Sequence, residues 1–259
     1  NIQGGINLKL TVLGNNGPFP SAGGACSGYL IRHNGINILV DCGNGVLANL
    51  QRFIRIEELD AIILTHLHSD HISDIHILKY AIQIKRKRGQ MDKLLEVYAP
   101  QEPEEEYKRL DVKDAFILKP ITADTVLKIG DIKLSFAQMK HPVLDFAISM
   151  EFKSMEFKSM EHNRKKFVFS GDTSWNEAII DLAGGADLLM LDAGLLERDF
   201  TVGAAHLTAF QCGEIALKAG VKRLLLTHLW PEYEVGELLE EAHRSFRNAY
   251  AAQLLQDYE

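Results

Sequence analysis

The chain predicts an α/β fold in which two β-sheets pack face to face, with helices on their outer sides and a site along one edge of the sandwich. Three observations predict it. Short apolar runs such as Ala61-Ile62-Ile63-Leu64 and Phe167-Val168-Phe169 have the length and composition of strands buried on both faces. Such strands come in two series, each followed by segments of helical periodicity. Polar turns rich in histidine and aspartate follow the strand ends, where a sheet holds ligands more firmly than a loop does. A chain of 259 residues with 46% hydrophobic content can bury one large core, so residues 1–259 read as a single domain.

Taken in order, Leu8–Gly14, Ser27–Arg32 and Ile36–Asp41 read as strands, with Asn34-Gly35 as the hairpin turn between the last two. The loop Gly14-Asn15-Asn16-Gly17-Pro18-Phe19-Pro20 is too rich in glycine and proline for regular structure. Val46–Phe53 reads as a helix, and Ile75–Lys87 as another that ends in Lys85-Arg86-Lys87-Arg88-Gly89. Basic residues before a glycine suit a helix terminus; the alternative is a patch for a phosphate backbone. His76, on this helix, reads as packed or solvated. Leu95–Ala99 is a strand, Glu102–Leu110 an acidic helix, Phe116–Leu118 a strand, and Ile132–Met139 a strand that leads into Lys140-His141-Pro142. Ser149-Met150-Glu151-Phe152-Lys153 repeats at 154–158, and a third copy begins at 159–161. A period of five suits neither helix nor strand, so a protruding loop with no catalytic part is expected between strands Phe146–Phe152 and Lys166–Ser170. His162 falls in it. Asn176–Ala183 is a helix, Ala186–Leu191 a strand, and Thr208 caps a helix through Lys218. Arg223–Thr227 is the last buried strand, and Val235–Leu255 reads as one amphipathic outer helix.

A formal net charge of −7 argues against a generic polyanion binder such as DNA. No run of about 18 apolar residues is present, so no membrane span is expected, and the first residues do not resemble a secretory signal. Cys26, Cys42 and Cys212 form no paired framework and read as free thiols of a reducing cytoplasm. Cys42, between Asp41 and Gly43, reads as a small buried hydrophobe, with metal ligation as the alternative.

The chemistry concentrates in Thr65-His66-Leu67-His68-Ser69-Asp70-His71. His66 and His68 point the same way in an extended segment, and imidazole suits zinc, manganese or iron. The form His-x-His-x-Asp-His resembles the signature of the metallo-β-lactamase-fold hydrolases, and the rest of the chain is similar to that superfamily almost end to end. The resemblance implies a four-layer αβ/βα sandwich of the metallo-β-lactamase fold. It implies His66, His68 and His141 on one ion, Asp70, His71 and His228 on the other, and Asp172 bridging the two. The ions are expected to be zinc, with manganese or iron as alternatives. Asp41 would hydrogen-bond the metal loop from behind.

The nearest branch is the ribonuclease Z-like and phosphodiesterase-like one. Its ribonuclease members carry His-Glu-Ala-Thr after a strand and His-Ser-Thr at a helix start; Leu191-Asp192-Ala193-Gly194 and His206-Leu207-Thr208 stand in those places here. By that resemblance Asp192 and His206 form the pair that protonates the leaving oxygen, and Asp70 joins them as a catalytic carboxylate. Asp192 is one methylene shorter than the family glutamate, so a compensating shift is required. The interval from His141 to Asp172 leaves no room for the tRNA-gripping arm of ribonuclease Z. The resemblance thus favours hydroxide attack at a metal-loaded site on a nucleotide, cyclic-nucleotide or RNA phosphodiester. A lactonase or thioesterase is the first alternative, and a tRNA 3′-end endonuclease the second. A β-lactamase or a flavin-linked diiron protein would need other residues around the histidines. Relatives of this kind often form two-fold dimers, and a homodimer is expected.

Overall fold

The computed structural model describes residues 8–153 and 164–259. Its elements run β1 (Lys9–Gly14), β2 (Gly28–His33), β3 (Ile36–Val40), α1 (Val46–Leu50), β4 (Ala61–Ile63), α2 (Ser69–Ile72), α3 (Ile75–Lys87), β5 (Leu95–Ala99), α4 (Glu104–Arg109), β6 (Phe116–Pro120) and β7 (Val126–Ile129). They continue through β8 (Ile132–Gln138), β9 (Phe146–Lys153), β10 (Arg164–Phe169), α5 (Glu177–Ala183), β11 (Leu188–Asp192), α6 (Ala209–Ala219), β12 (Leu224–Thr227), α7 (Val235–His243), β13 (Ala249–Ala251) and β14 (Asp257–Tyr258).

Two sheets result, ordered β14-β1-β2-β3-β4-β5-β6 and β13-β12-β11-β10-β9-β8-β7. In each, one part is antiparallel (β14 to β3; β10 to β7) and the other parallel (β3 to β6; β13 to β10). Period-two alternation sorts the side chains. Leu10, Val12, Tyr29, Ile31, Ile38 and Ile63 face the second sheet and meet Ile148, Phe167, Phe169, Met190 and Leu225. Their neighbours Leu13, Leu30, Leu39 and Ile62 face outward and are covered by Val46, Leu50, Ile75, Leu78 and Ile82 of α1 and α3. On the far side Val168, Leu189, Leu191 and Leu226 lie under Ile179, Cys212, Ile215, Ala216 and Leu238 of α5, α6 and α7. Helix, sheet, sheet, helix is the four-layer sandwich expected from the sequence.

The turn at Asn34-Gly35 has φ of 47° and 81°, the left-handed pair a tight hairpin needs. Thr208 caps α6 as expected, with Gln211 closing the capping box. The chain departs from expectation at its end. Val235–Leu255 is not one helix: α7 stops at His243, and Ala249–Ala251 pairs in parallel with Leu224–Leu226. Alanines favour helix by propensity, but here Ala249 and Ala251 are small enough to bury against the second core, and tertiary pairing overrides the local preference. The edge strands β7, β13 and β14 carry short or weak patterns and were not foreseen. Residues 154–161 of the repeat, and His162, lie outside the described residues; the first copy, Ser149–Lys153, belongs to β9.

The candidate metal centre

Every strand that leads into the site delivers its polar residue at the same edge of the sandwich. Past β4 come Thr65 to His71; past β3, Asp41; past β8, His141; past β10, Asp172; Asp192 ends β11, and His228 follows β12. Below them the sheets are tied by a 2.7 Å hydrogen bond between Tyr29 Oη and Thr227 Oγ1, and by Phe146 N donating to Thr65 O at 3.1 Å.

The side chains form two converging sets. His66 Nε2 and His141 Nε2 each lie 3.1 Å from His68 Nδ1. Two nitrogens on a tetrahedral ion with bonds of about 2.1 Å stand about 3.4 Å apart, close to that spacing. Asp70, His71, Asp172 and His228 form the second set, their donor atoms all within 4.8 Å of one another. His228 Nε2 is 3.1 Å from Asp70 Oδ2 and 3.2 Å from Asp172 Oδ2. Asp172 lies between the sets: Oδ2 is 3.8 Å from His66 Nε2, and Oδ1 is 3.4 Å from His71 Nε2.

The donor chemistry fits divalent ions. Asp41, Asp145, Asp172 and Asp192 are all buried, and among the described residues no lysine or arginine pairs with them. Each stands beside an imidazole, and so many buried carboxylates around a knot of histidines make a donor set that a dication would neutralise. His71 Nε2 and Asp172 Oδ1 are buried with no hydrogen-bond partner, each aimed into the cluster. Cys42 and His76 belong to neither set among the described residues; Cys42 packs in the outer core of the first sheet.

The two sets differ electrostatically. Burial pushes His66 down to about 3 and His141 to about 4, so the first set offers neutral imidazoles. Burial also works against charge on His71 and His228. There Asp172 outweighs it, helped by Asp41 at His71 and by Asp192 and Asp70 at His228, raising His71 well above the usual range and His228 to about 10. Burial pushes Asp70 up, but its hydrogen bond to His228 and the charge on His71 prevail and hold it at about 2.

Each set is steadied from behind. Asp41 Oδ2 accepts from His71 Nδ1 at 2.8 Å, and Oδ1 accepts from Thr65 N at 2.8 Å, the supporting position expected for it. Asp145 was missed by sequence reasoning. Its Oδ2 lies 2.7 Å from His66 Nδ1 and accepts from Asp172 N at 3.1 Å, so one buried carboxylate fixes a residue of each set. Gly171, at φ 61°, makes room for it, since a Cβ there would fall 2.3 Å from Asp145 Oδ1. Gly17 is as constrained, because its Cβ would sit 1.9 Å from His228 Nε2. The Gly14–Pro20 loop thus borders the cluster.

His206 is half-buried beside the second set, stacked on His228 with ring centroids 5.0 Å apart. Asp192 Oδ2 accepts from its Nδ1 at 2.8 Å, so the shorter carboxylate does reach. Burial lowers His206, but Asp192 outweighs it and the net shift is upward. Asp192 is itself locked by Thr173 N at 3.1 Å and Gly194 N at 3.0 Å, and its Oδ1 stands 3.5 Å from His228 Nδ1.

Residues 36–229 match the family model described as a beta-lactamase superfamily domain. The chain belongs to the metallo-β-lactamase superfamily. With its paired metal-binding clusters it is a metal-dependent hydrolase of that superfamily with a dinuclear architecture. It is 32% identical to a probable metallo-hydrolase, YhfI, of Bacillus subtilis, over 93% of this chain and 94% of that protein. The crystal structure of YhfI superimposes with a TM-score of 0.89 at 30% identity, covering 97% and 98% of the two chains. Ribonuclease Z of Brevibacillus brevis is 28% identical over 80% of this chain and 82% of its own. The short form of human tRNase Z shares the fold with a TM-score of 0.74 at 20% identity, covering 97% and 98%. Among the described residues, no helix of this superfamily member is long and apolar enough to cross a membrane.

Proposed function

We propose that this hydrolase is a phosphodiesterase acting on a nucleotide, cyclic-nucleotide or RNA phosphodiester. The observation that carries the reading is the Asp192–His206 pair, with a 2.8 Å hydrogen bond, set beside the metal-binding cluster. A carboxylic ester or lactone can expel its oxygen with less help, whereas a ribose alkoxide needs a proton as it departs.

In this reading His66, His68 and His141 would hold one ion, probed first as zinc, while Asp70, His71 and His228 would hold the other, with Asp172 placed between the two sets. When bound, two dications supply a nucleophile from water near neutral pH and neutralise charge on the non-bridging oxygens. Asp41 and Asp145 orient His71 and His66, so the donors meet the substrate already fixed. His206 delivers a proton from Nε2 to the departing oxygen, and Asp192 holds its Nδ1–H and the ring's tilt. Asp70 Oδ2, 3.1 Å from His228 Nε2, would share the second ion with it, which is its part among the catalytic carboxylates. The similarity to proteins named ribonuclease Z supports the phosphodiester class. Between His141 and Asp172 the described residues are largely β9 and β10, which favours a small diester over a whole tRNA.

A two-fold homodimer in the cytoplasm belongs to the same reading. Ile77, Tyr80 and Ile84, exposed at helical spacing on α3, support the dimer, and three buried unpaired cysteines support the compartment. Light scattering that finds only monomer at micromolar concentration removes the dimer.

The function is tested by profiling metal-loaded protein on bis(p-nitrophenyl) phosphate, cyclic nucleotides and acyl lactones. Turnover of diesters, with lactones untouched, is the expected result. The reverse profile overturns the reading in favour of a lactonase.

A further inference from the structure

Beside His141 and Ala205, on the His206 side of the cluster, a recess of about 310 Å³ opens between Trp175 and Phe200, with Lys140, Pro142, Ser174 and Gln211 among its other walls. We propose that this recess seats the base of the nucleoside that departs from the phosphate, stacked on Trp175. The proposal rests on the phosphodiesterase reading and adds to it a binding site for a flat heteroaromatic ring.

Trp175 is held as a platform. Its Nε1 donates to Glu177 Oε1 at 2.9 Å, and Lys218 Nζ lies 4.5 Å from its ring centroid. Lys218 lines a second, outer recess that shares Trp175, Phe200 and Gln211 but does not include His141. Trp175 is thus shared by the recess that includes His141 and by the outer one that includes Lys218. The indole packs in part against the second core, with Lys218 over its ring, and its remaining surface lines the recess that includes His141, where a ligand can meet it. Phe200, another wall of the recess, is 44% exposed.

The polar rim suits a base as well. Gln211 Oε1 accepts from Thr208 N in the capping box, which leaves its amide nitrogen without a partner among the described residues. An amide N–H at the wall of an aromatic slot pairs with a ring nitrogen or carbonyl of a base. A lactone acyl chain or a bare sugar phosphate uses neither the flat faces nor that donor. Ala205 immediately precedes His206 in the chain and lines the recess, and this adjacency assigns the base to the departing side.

The test compares a dinucleoside monophosphate with the same diester carrying an abasic ribose on the departing side, using metal-loaded wild type, Trp175→Ala and Trp175→Phe with metal content measured. In the wild type the abasic diester is expected to have a KM higher by roughly tenfold, the effect of losing one stacked base. Trp175→Ala should raise the KM of the complete diester to that level and leave the abasic one unchanged, while Trp175→Phe restores most of the difference. A second readout needs no turnover. The chain has two tryptophans, so Trp230→Phe isolates Trp175, whose fluorescence should be quenched by AMP and not by ribose 5-phosphate. Equal KM values for the two diesters in wild type, or equal quenching by the two ligands, overturns the base site while diester hydrolysis stands. A wild type that cleaves neither diester overturns the base site, and one that also leaves cyclic nucleotides intact overturns the phosphodiesterase reading with it.

Discussion

The two ligand sets do similar work with different support. The set of Asp70 and His71 is steadied by Asp41, which follows β3, the strand next to β4 in the same sheet. The set of His66, His68 and His141 is steadied by Asp145, which reaches His66 from the opposite sheet. The first link lies within one sheet, although Asp172 and His228 of that set come from the second, and survives small shifts between the sheets. The second depends on their registration to within a hydrogen bond. Both sets span the two sheets and so report how well the sandwich is closed, the three-imidazole set additionally through its backing carboxylate.

The largest expected effect comes from removing what the sets share. Asp172→Ala should lose at least one ion by elemental analysis and slow every substrate by on the order of 10⁴-fold, since metal stabilisation is worth several kcal/mol. Two ions retained with full turnover would end the claim that Asp172 joins the sets. His206→Ala leaves both sets in place and probes the chemistry beside them. It should slow a nucleotide diester by about 10²–10⁴-fold and largely spare bis(p-nitrophenyl) phosphate, whose phenolate leaves unaided. Equal losses on both, with metals retained, would make His206 a phosphate-positioning group. Asp192→Asn should follow His206→Ala more weakly, with metal content checked because Asp192 also stands beside His228.

Asp145→Asn and Asp41→Asn compare the two supports directly. Each should weaken metal binding by about 10–100-fold, at the Asp70–His71 set for Asp41 and at both sets for Asp145, which holds His66 and the Asp172 backbone, as read by competition with a chromogenic chelator. Identical affinity profiles for the two variants would erase the contrast. The smallest effect is a control. Thr208→Ala removes a cap and should cost about 1 kcal/mol of unfolding free energy in urea without changing metal content.

What the sequence made legible follows from where each signal resides. His66 to His71, His141, Asp172 and His228 each follow an apolar strand, so the change from buried run to polar residue marks them. Asp41 is legible for the same reason. Asp145 precedes its strand instead, and its partner His66 lies in the other sheet, so nothing local distinguishes it from a turn aspartate. The nearest available signal was Gly171, whose constraint becomes meaningful only once Asp145 is seen against it. At the chain's end the pattern from Val235 onward supports a helix by itself. The strand Ala249–Ala251 exists because β12 offers an unpaired edge, a fact held by a distant segment.

The placement of the ligands across both sheets has a mechanical consequence. Each set draws from the first sheet (His66, His68; Asp70, His71) and from the second (His141; Asp172, His228). Bound ions therefore act as rivets through the open edge of the sandwich, and the metal buffer of the surroundings becomes a determinant of how long the fold survives heat. A ligand at about 1,000 times its Kd adds about 4 kcal/mol to stability, which for a chain of this size corresponds to roughly 10 °C of melting temperature. Chelation should lower the calorimetric midpoint by about that amount, and hydrogen exchange should quicken first at the riveted edge, around Thr65 and Phe146, before it does at β7.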